Sequence, residues 1–153
     1  MDKKFYAIIH NVRSAYNVGS MFRTADALGI DKIFLTGYSP SPDQHKQIAK
    51  TALGAEKMVE WEKCWHIHQV FNKLKKQKVK IYAVELDSRS ESLNDVKADN
   101  SVALLVGNEV RGLSLTVLEQ VDKIIEIPMH GKKESLNVSV AFGIAGYVIS
   151  KSL

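Results

Sequence analysis

Three stretches of the sequence gather polar side chains between apolar runs: NVRSAYNVGSMFRTADALG at 11–29, LLVGNEVRGLS at 104–114 and IPMHGKKESLNVSVA at 127–141. Among their polar side chains are the amides of Asn17 and Asn137, the guanidinium of Arg23, the carboxylate of Glu109 and the hydroxyl of Ser135. A guanidinium can stabilise an oxyanion as it develops during a reaction. A hydroxyl and an amide just ahead of a helix can cap it or contact a phosphate. Each group also has a plainer use. Asn17 can serve as a helix cap, and Glu109 can be a solvated loop carboxylate.

Three apolar runs end abruptly in unusual residues. IYAVE (81–85) closes on Val84-Glu85, VALLVG (102–107) runs into Gly107-Asn108-Glu109, and KIIEIPM (123–129) leads to Pro128-Met129-His130-Gly131. Open α/β sheets bind ligands just beyond the carboxyl ends of their strands. If these three runs are neighbouring strands, their loops line one pocket; otherwise each loop is merely a turn. Familiar phosphate sites are missing. No G-x-G-x-x-G follows the first strand, and EIPMHGKKES fails as a phosphate loop because Glu126 and Lys133 occupy positions that need glycine and Ser or Thr.

The elements that would position these residues alternate along the chain. Residues 4–10 read as a buried strand, and a helix follows from Asn17 with Val18, Met21, Phe22, Ala25 and Leu28 on one stripe and Gly29 as its stop. Residues 33–36 form a second strand, GYSPSPDQ a loop, 57–60 a short strand and 62–76 a helix. The three apolar runs follow as strands, with a helix at 114–121 between the last two and a closing helix at 137–150. This alternation predicts one α/β domain over 1–153, a mainly parallel sheet with helices on both faces.

Composition agrees with a globular protein: hydrophobic residues make up 45% and charged residues 25%. No apolar run reaches the roughly 20 residues that span a bilayer. The N-terminal MDKKFYAIIHN lacks the pattern of a secretory signal, so a cytoplasmic location is expected. The net charge of +4 permits a polyanionic partner without indicating one. Cys64 is the only cysteine, and His66 and His68 diverge if both lie on a helix, so no metal site is expected. Trp61 and Trp65, four apart in the 62–76 region, read as packing on a helix face. The lysines at 73, 75, 76, 78 and 80 read as a solvated helix end.

In order, spacing and content, the three polar stretches resemble the three motifs of the SpoU (TrmH-like) branch of the SPOUT methyltransferases, and the resemblance spans nearly the whole chain. It implies a fold whose C-terminal part threads a loop to form a deep trefoil knot, although knotted chains are rare. It implies S-adenosylmethionine as cofactor, held by Val84, Gly107, Ile127, Ser135 and Leu136. The acceptor it implies is a ribose 2′-hydroxyl of RNA; tRNA and rRNA are both open, with tRNA slightly favoured because a compact dimer could grip it. Asn17, Arg23, Glu109, Ser135 and Asn137 match the family's functional positions.

Under that resemblance Arg23 is central to activating the acceptor hydroxyl. Arginine is an awkward base, because its guanidinium stays protonated. Either an RNA phosphate assists proton removal at Arg23, or Arg23 stays charged and stabilises the developing alkoxide; the second is favoured on physical grounds. The last helix is apolar around most of its circumference, from Val140, Phe142, Ile144, Val148 and Ile149, and carries small Ala141, Gly143, Ala145 and Gly146. Burial within one chain accounts for that, while the resemblance implies a homodimer through the first and last helices, with Arg23 of one chain meeting the cofactor of the other. The rival reading keeps the fold and discards catalysis, leaving an RNA-binding protein.

Overall fold

The computed structural model describes residues 2–153. In chain order its elements are β1 (Phe5–His10), α1 (Ala15–Leu28), β2 (Lys32–Thr36), α2 (Ile48–Ala52), β3 (Glu60–Cys64), α3 (Ile67–Lys76), β4 (Lys80–Val84), β5 (Glu91–Ser92), β6 (Val102–Val106), α4 (Leu115–Leu118), β7 (Lys123–Glu126) and α5 (Val138–Ser152). Short 3₁₀ turns occupy Ala55–Lys57 and Leu93–Asp95.

The strands form one sheet in the order β3-β2-β1-β6-β4-β7-β5, and every pairing between these strands is parallel. A parallel sheet is buried on both faces, so its strands read as nearly continuous apolar runs. Side chains still alternate. In β1, Ala7 and Ile9 face the core that includes α1 and α5, whereas Ile8 faces the core that includes α3. In β6, Val102, Leu104 and Val106 take the first side, and Ala103 and Leu105 the second. The register sets Ile8 beside both Phe34 of β2 and Leu105 of β6, so one layer continues across three strands.

The first helix begins at Ala15, two residues earlier than the Asn17 start expected from the sequence. Ser14 is its N-cap, its hydroxyl accepting from the Asn17 N–H, and Gly29 ends it in the left-handed conformation at φ 71°. The capping role considered for Asn17 therefore belongs to Ser14, which leaves the Asn17 side chain available. Asn137 does cap α5, its side-chain oxygen accepting from the N–H groups of Ser139 and Val140. On α5, Phe142, Ala145 and Ile149 recur at helical spacing and are fully buried. Burying each of the two large ones is worth about 1.5–3 kcal/mol.

The region 57–76 departs from expectation. Residues 55–57 form a 3₁₀ turn, and the strand runs over Glu60–Cys64, where the helix had been placed. The apolar stripe Ile67, Val70, Phe71 and Leu74 has no continuation before Ile67, since the positions one turn earlier are Lys63 and Cys64. The segment instead gains a backbone ladder along β2, and Lys32 lies 3.5 Å from Glu60 and 3.6 Å from Glu62. Trp61 thus lies on an edge strand and Trp65 in the connection to α3, not together on a helix face. His66 is the N-terminal flanking residue of α3 rather than part of it. Two further elements were not expected: α2, beyond the 37–44 loop, and the two-residue edge strand β5.

Candidate active site

The sheet order makes β6, β4 and β7 immediate neighbours, so the loops that follow them meet at one end of the sheet. They enclose a cleft of about 190 Å³ beneath a wider mouth, and Val84, Gly107, Ile127, Ser135 and Leu136 all line it. The five residues expected to hold a cofactor are therefore brought together from three separate parts of the chain.

Gly107 is buried at the end of β6, and a side chain there would overlap its surroundings. A Cβ would lie 2.7 Å from Leu113 Cδ2 and 2.9 Å from the Gly112 carbonyl carbon. The next residue shapes the loop. Asn108 Oδ1 accepts from the N–H groups of Val110 and Arg111, both at 2.9 Å, while Asn108 Nδ2 donates to the Asn11 carbonyl and to Tyr38 Oη. Glu85, at the end of β4, holds the same loop from below. Its carboxylate accepts from the Leu113 N–H at 3.0 Å and from its neighbour Leu86 at 3.1 Å.

Glu109 turns away from this loop toward the start of α1. Its Oε1 accepts from the Arg13 N–H at 3.0 Å, and its Oε2 from the Ser14 N–H at 2.8 Å and from Asn17 Nδ2 at 3.3 Å. Burial alone would raise the carboxyl's pKa; the hydrogen bonds from Arg13, Ser14 and Asn17 outweigh it and hold the group below its ordinary value. Asn17 Oδ1 in turn accepts from Asn137 Nδ2 at 3.2 Å. Glu109, Asn17 and Asn137 thus form one hydrogen-bonded chain joining the β6 loop, α1 and the start of α5.

Arg23 is not part of that cluster. It is exposed on α1 and makes no hydrogen bond or ion pair among the described residues. It lies six positions beyond Asn17, about 9 Å along the helix and on a different face. Ser135 is exposed on the cleft wall. Sequence reasoning gave no role to Ser14, Glu85, Asn108 or Tyr38. A Ser three residues ahead of Asn17 is a readable cap signal; the long-range contacts of the other three leave no local trace.

Beside the cleft, beyond β1 and β2, His10 Nδ1 lies 2.8 Å from Thr36 Oγ1. Burial first, then the nearby charges of His68 and Lys63, push the His10 pKa down from 6.5 to about 4, so the ring is neutral at pH 7. Lys63 donates to the carbonyls of Gly37 at 2.5 Å and Ser39 at 2.6 Å, and burial lowers its pKa as well.

Fold and cleft together are those of an open parallel α/β protein with its ligand site beyond the carboxyl ends of its strands. The chain belongs to the SpoU rRNA Methylase family, whose model matches residues 4–147. It is 34% identical over 146 residues to the tRNA (guanosine(18)-2′-O)-methyltransferase of Aquifex aeolicus, a match covering 95% of this chain and 68% of that one. Its structure is similar to that of the AdoMet-bound rRNA methyltransferase from Sinorhizobium meliloti, with TM-score 0.90 and 25% identity over 100% of this chain and 58% of the other. It is also similar to a protein whose structure concerns the 2-OH methylation of C/U34 on tRNA, with TM-score 0.83 and 26% identity over 95% and 93% of the two chains. The chain spans 66%, 68% and 59% of the length of three curated relatives it matches.

Proposed function

We propose that this protein transfers the methyl group of S-adenosylmethionine to a ribose 2′-hydroxyl of RNA, with tRNA favoured over rRNA. The observation that carries the reading is the convergence of Val84, Gly107, Ile127, Ser135 and Leu136 on one cleft, with Asn17 and Glu109 at its edge. The tRNA preference draws on the similarity to a tRNA methyltransferase and to the protein studied for tRNA C/U34 methylation, 93% of which this chain covers.

The cleft fits such a cofactor. Its enclosed part is below the roughly 300 Å³ of a full drug-sized pocket and suits a single purine ring, with ribose and amino-acid tail toward the mouth. Val84, Ile127 and Leu136 offer apolar contact to the ring, and the missing side chain at Gly107 lets Leu113 and the Gly112 backbone pack close against the cleft wall. When bound, the cofactor supplies an electrophilic methyl on a sulfonium, a good leaving group. The protein's remaining task is to orient the ribose hydroxyl and to favour loss of its proton. Asn17 is held in place by Glu109 and Asn137. Arg23 supplies a guanidinium that stabilises the alkoxide oxygen as charge develops on it.

Arg23 is exposed and lines neither the cleft nor the groove beside it, which supports a homodimer. Tyr16 of α1 and Val140, Ile144 and Tyr147 of α5 leave 50%, 48%, 39% and 56% of their surface in water, an apolar face suited to a second copy. Pairing through α1 and α5 would bring Arg23 to the partner's cleft. A trefoil knot, with 127–137 threaded beside the 86–101 loop, is part of the same reading. It is supported by β7 entering the sheet between β4 and β5, two strands that precede it in the chain.

Calorimetry with S-adenosylmethionine, followed by transfer of labelled methyl to unmodified tRNA and rRNA, tests the proposal. Arg23→Ala should abolish transfer while keeping cofactor affinity within about twofold. Full activity in that variant, or no cofactor binding at millimolar ligand, refutes the assignment.

A further inference from the structure

The turn that follows β2 and the connection that follows β3 each hold one aromatic side chain in water, Tyr38 and Trp65, on backbones tied together from several directions. The Gly37 N–H donates to the Trp65 carbonyl at 3.0 Å, and the Tyr38 N–H to Asn11 Oδ1 at 3.1 Å. The buried Ser39 hydroxyl donates to the Ile9 carbonyl and accepts from the Val12 N–H. Lys63 clamps the turn through the carbonyls of Gly37 and Ser39. Gly37 has φ 61°, and a Cβ there would run into the Asn11 side chain, so the turn tolerates no substitute at that position. Yet Tyr38 is 47% exposed and Trp65 62% exposed.

Both rings are oriented as well as exposed. Tyr38 Oη accepts from Asn108 Nδ2 at 3.0 Å, which aims the ring at the loop after β6. The Lys63 ammonium lies over the Trp65 ring, 5.6 Å from its centroid. Tyr38 shares a surface groove with Arg13, Asn17, Asn108, Glu109 and Arg111. Arg13 and Arg111 have no ion-pair partner among the described residues, whereas Glu109 is engaged by N–H donors of α1 and the turn before it. The groove therefore presents unpaired guanidinium groups next to the Tyr38 ring, and Trp65 is tied to the Tyr38 turn through the Gly37 N–H.

We propose that Tyr38 and Trp65 form a stacking platform for nucleobases flanking the acceptor ribose, with Arg13 and Arg111 holding the adjacent phosphates, so that the RNA enters as an unpaired strand. This rests on the RNA reading above and adds the strand's conformation and its route. Aromatic faces recognise unstacked bases with little dependence on sequence, whereas a paired helix hides those faces. Because the rings are already ordered, stacking on them sacrifices little side-chain freedom.

The test uses the full chain with Trp61→Phe, which leaves Trp65 as the one tryptophan. The probes are a single-stranded RNA of about 12 nucleotides, within the site size of single-strand binders, and the duplex of the same sequence. The single strand should quench Trp65 fluorescence, and the duplex should not. In the wild-type background, Tyr38→Ala with Trp65→Ala should weaken single-strand binding by roughly 10- to 100-fold, the size of one or two lost stacks, while melting temperature and cofactor affinity hold. The RNA KM should rise with kcat at saturation nearly unchanged, and Tyr38→Phe with Trp65→Phe should restore most of the affinity. Equal binding by the alanine variant and the wild type, or equal quenching by duplex and single strand, overturns the platform while leaving the RNA reading intact. If the wild type binds neither probe nor total tRNA, the RNA reading itself fails. Should the alanine variant not fold, the quenching titration still decides.

Discussion

Replacing Glu109 with glutamine keeps the side chain's shape and removes its charge, isolating the anchor between the β6 loop and α1. In the native protein one carboxylate takes three donors: the N–H of Arg13, the N–H of Ser14 and the amide of Asn17. Glutamine keeps one acceptor oxygen. Turned toward Ser14 and Asn17, it retains two bonds and points its own NH₂ at the Arg13 N–H. Bonds to a charged acceptor contribute about 1.5–3 kcal/mol and neutral ones about 0.5–1.5 kcal/mol. Arg13 is exposed, so water can take its N–H and spare the full penalty of an orphaned donor. Loss of a negative charge beside the start of α1 removes about 0.3–1 kcal/mol more. The sum is about 2 kcal/mol. For a domain of this size that lowers the melting temperature by about 4–8 °C.

The pH dependence gives an independent check with a definite sign. A carboxyl held below its ordinary pKa contributes stability that is present above the unfolded-state value and lost as pH falls through the folded one. The gap between wild type and Glu109→Gln should therefore be constant from pH 8 to pH 6, in ~0.1 M salt, and close as pH drops below 4.5, the ordinary value for the group. Thermal melts of both proteins across that range measure it. A difference below about 1 °C at pH 7, on the conversion used above, would refute the anchoring argument. So would a gap that persists in acid, where Glu109 is protonated in folded and unfolded chains alike.

Other perturbations address separate parts of the site. Gly107→Ala sets a methyl against Leu113 and the Gly112 backbone, so cofactor affinity should fall at least about tenfold, with about 1–3 kcal/mol of lost stability; calorimetry and melting measure both. His10 is held near pKa 4 against 6.5, so the unfolded chain binds the proton first and stability should fall as pH drops from 6.5 to 4. The ceiling is about 3 kcal/mol, roughly half of that with solvent screening, and His10→Gln should remove this part of the slope. An unchanged slope in the variant would assign it to other groups. Ile144→Glu, on the exposed face of α5, should halve the mass seen by light scattering and abolish methyl transfer while each chain still binds cofactor. Full activity from a monomer would overturn the proposed dimer.

The parts of the fold legible in the sequence are those whose information is local. Runs such as VALLV and KIIE announce buried strands because both faces are covered, and Gly29 marks the end of α1 because it alone accepts the left-handed conformation without strain. The stretch 57–66 was misread because an edge strand needs little hydrophobic patterning. EWEKC is held by pairing with β2 and by lysine–glutamate contacts across the strands, neither of which leaves a periodic trace. α4 was expected over 114–121 and runs only from Leu115 to Leu118, since Ser114 marks a start and nothing nearby marks an end.

The site divides the same way. The strand order suggested that the loops after β4, β6 and β7 share one pocket, and the family resemblance pointed within them to Val84, Gly107, Ile127, Ser135 and Leu136, all of which line one cleft. What order could not convey is which polar group serves another. Asn17 lies 92 positions from Glu109 and 120 from Asn137, yet its amide donates to the first and accepts from the second. Each of the three has a defensible role alone: helix residue, loop carboxylate, helix cap. Joined, they tie the floor of the cleft to both helices of the exposed face that carries Arg23. A shift at any one of them is transmitted to the other two, so these polar residues act as a positioning set rather than as separate contributors.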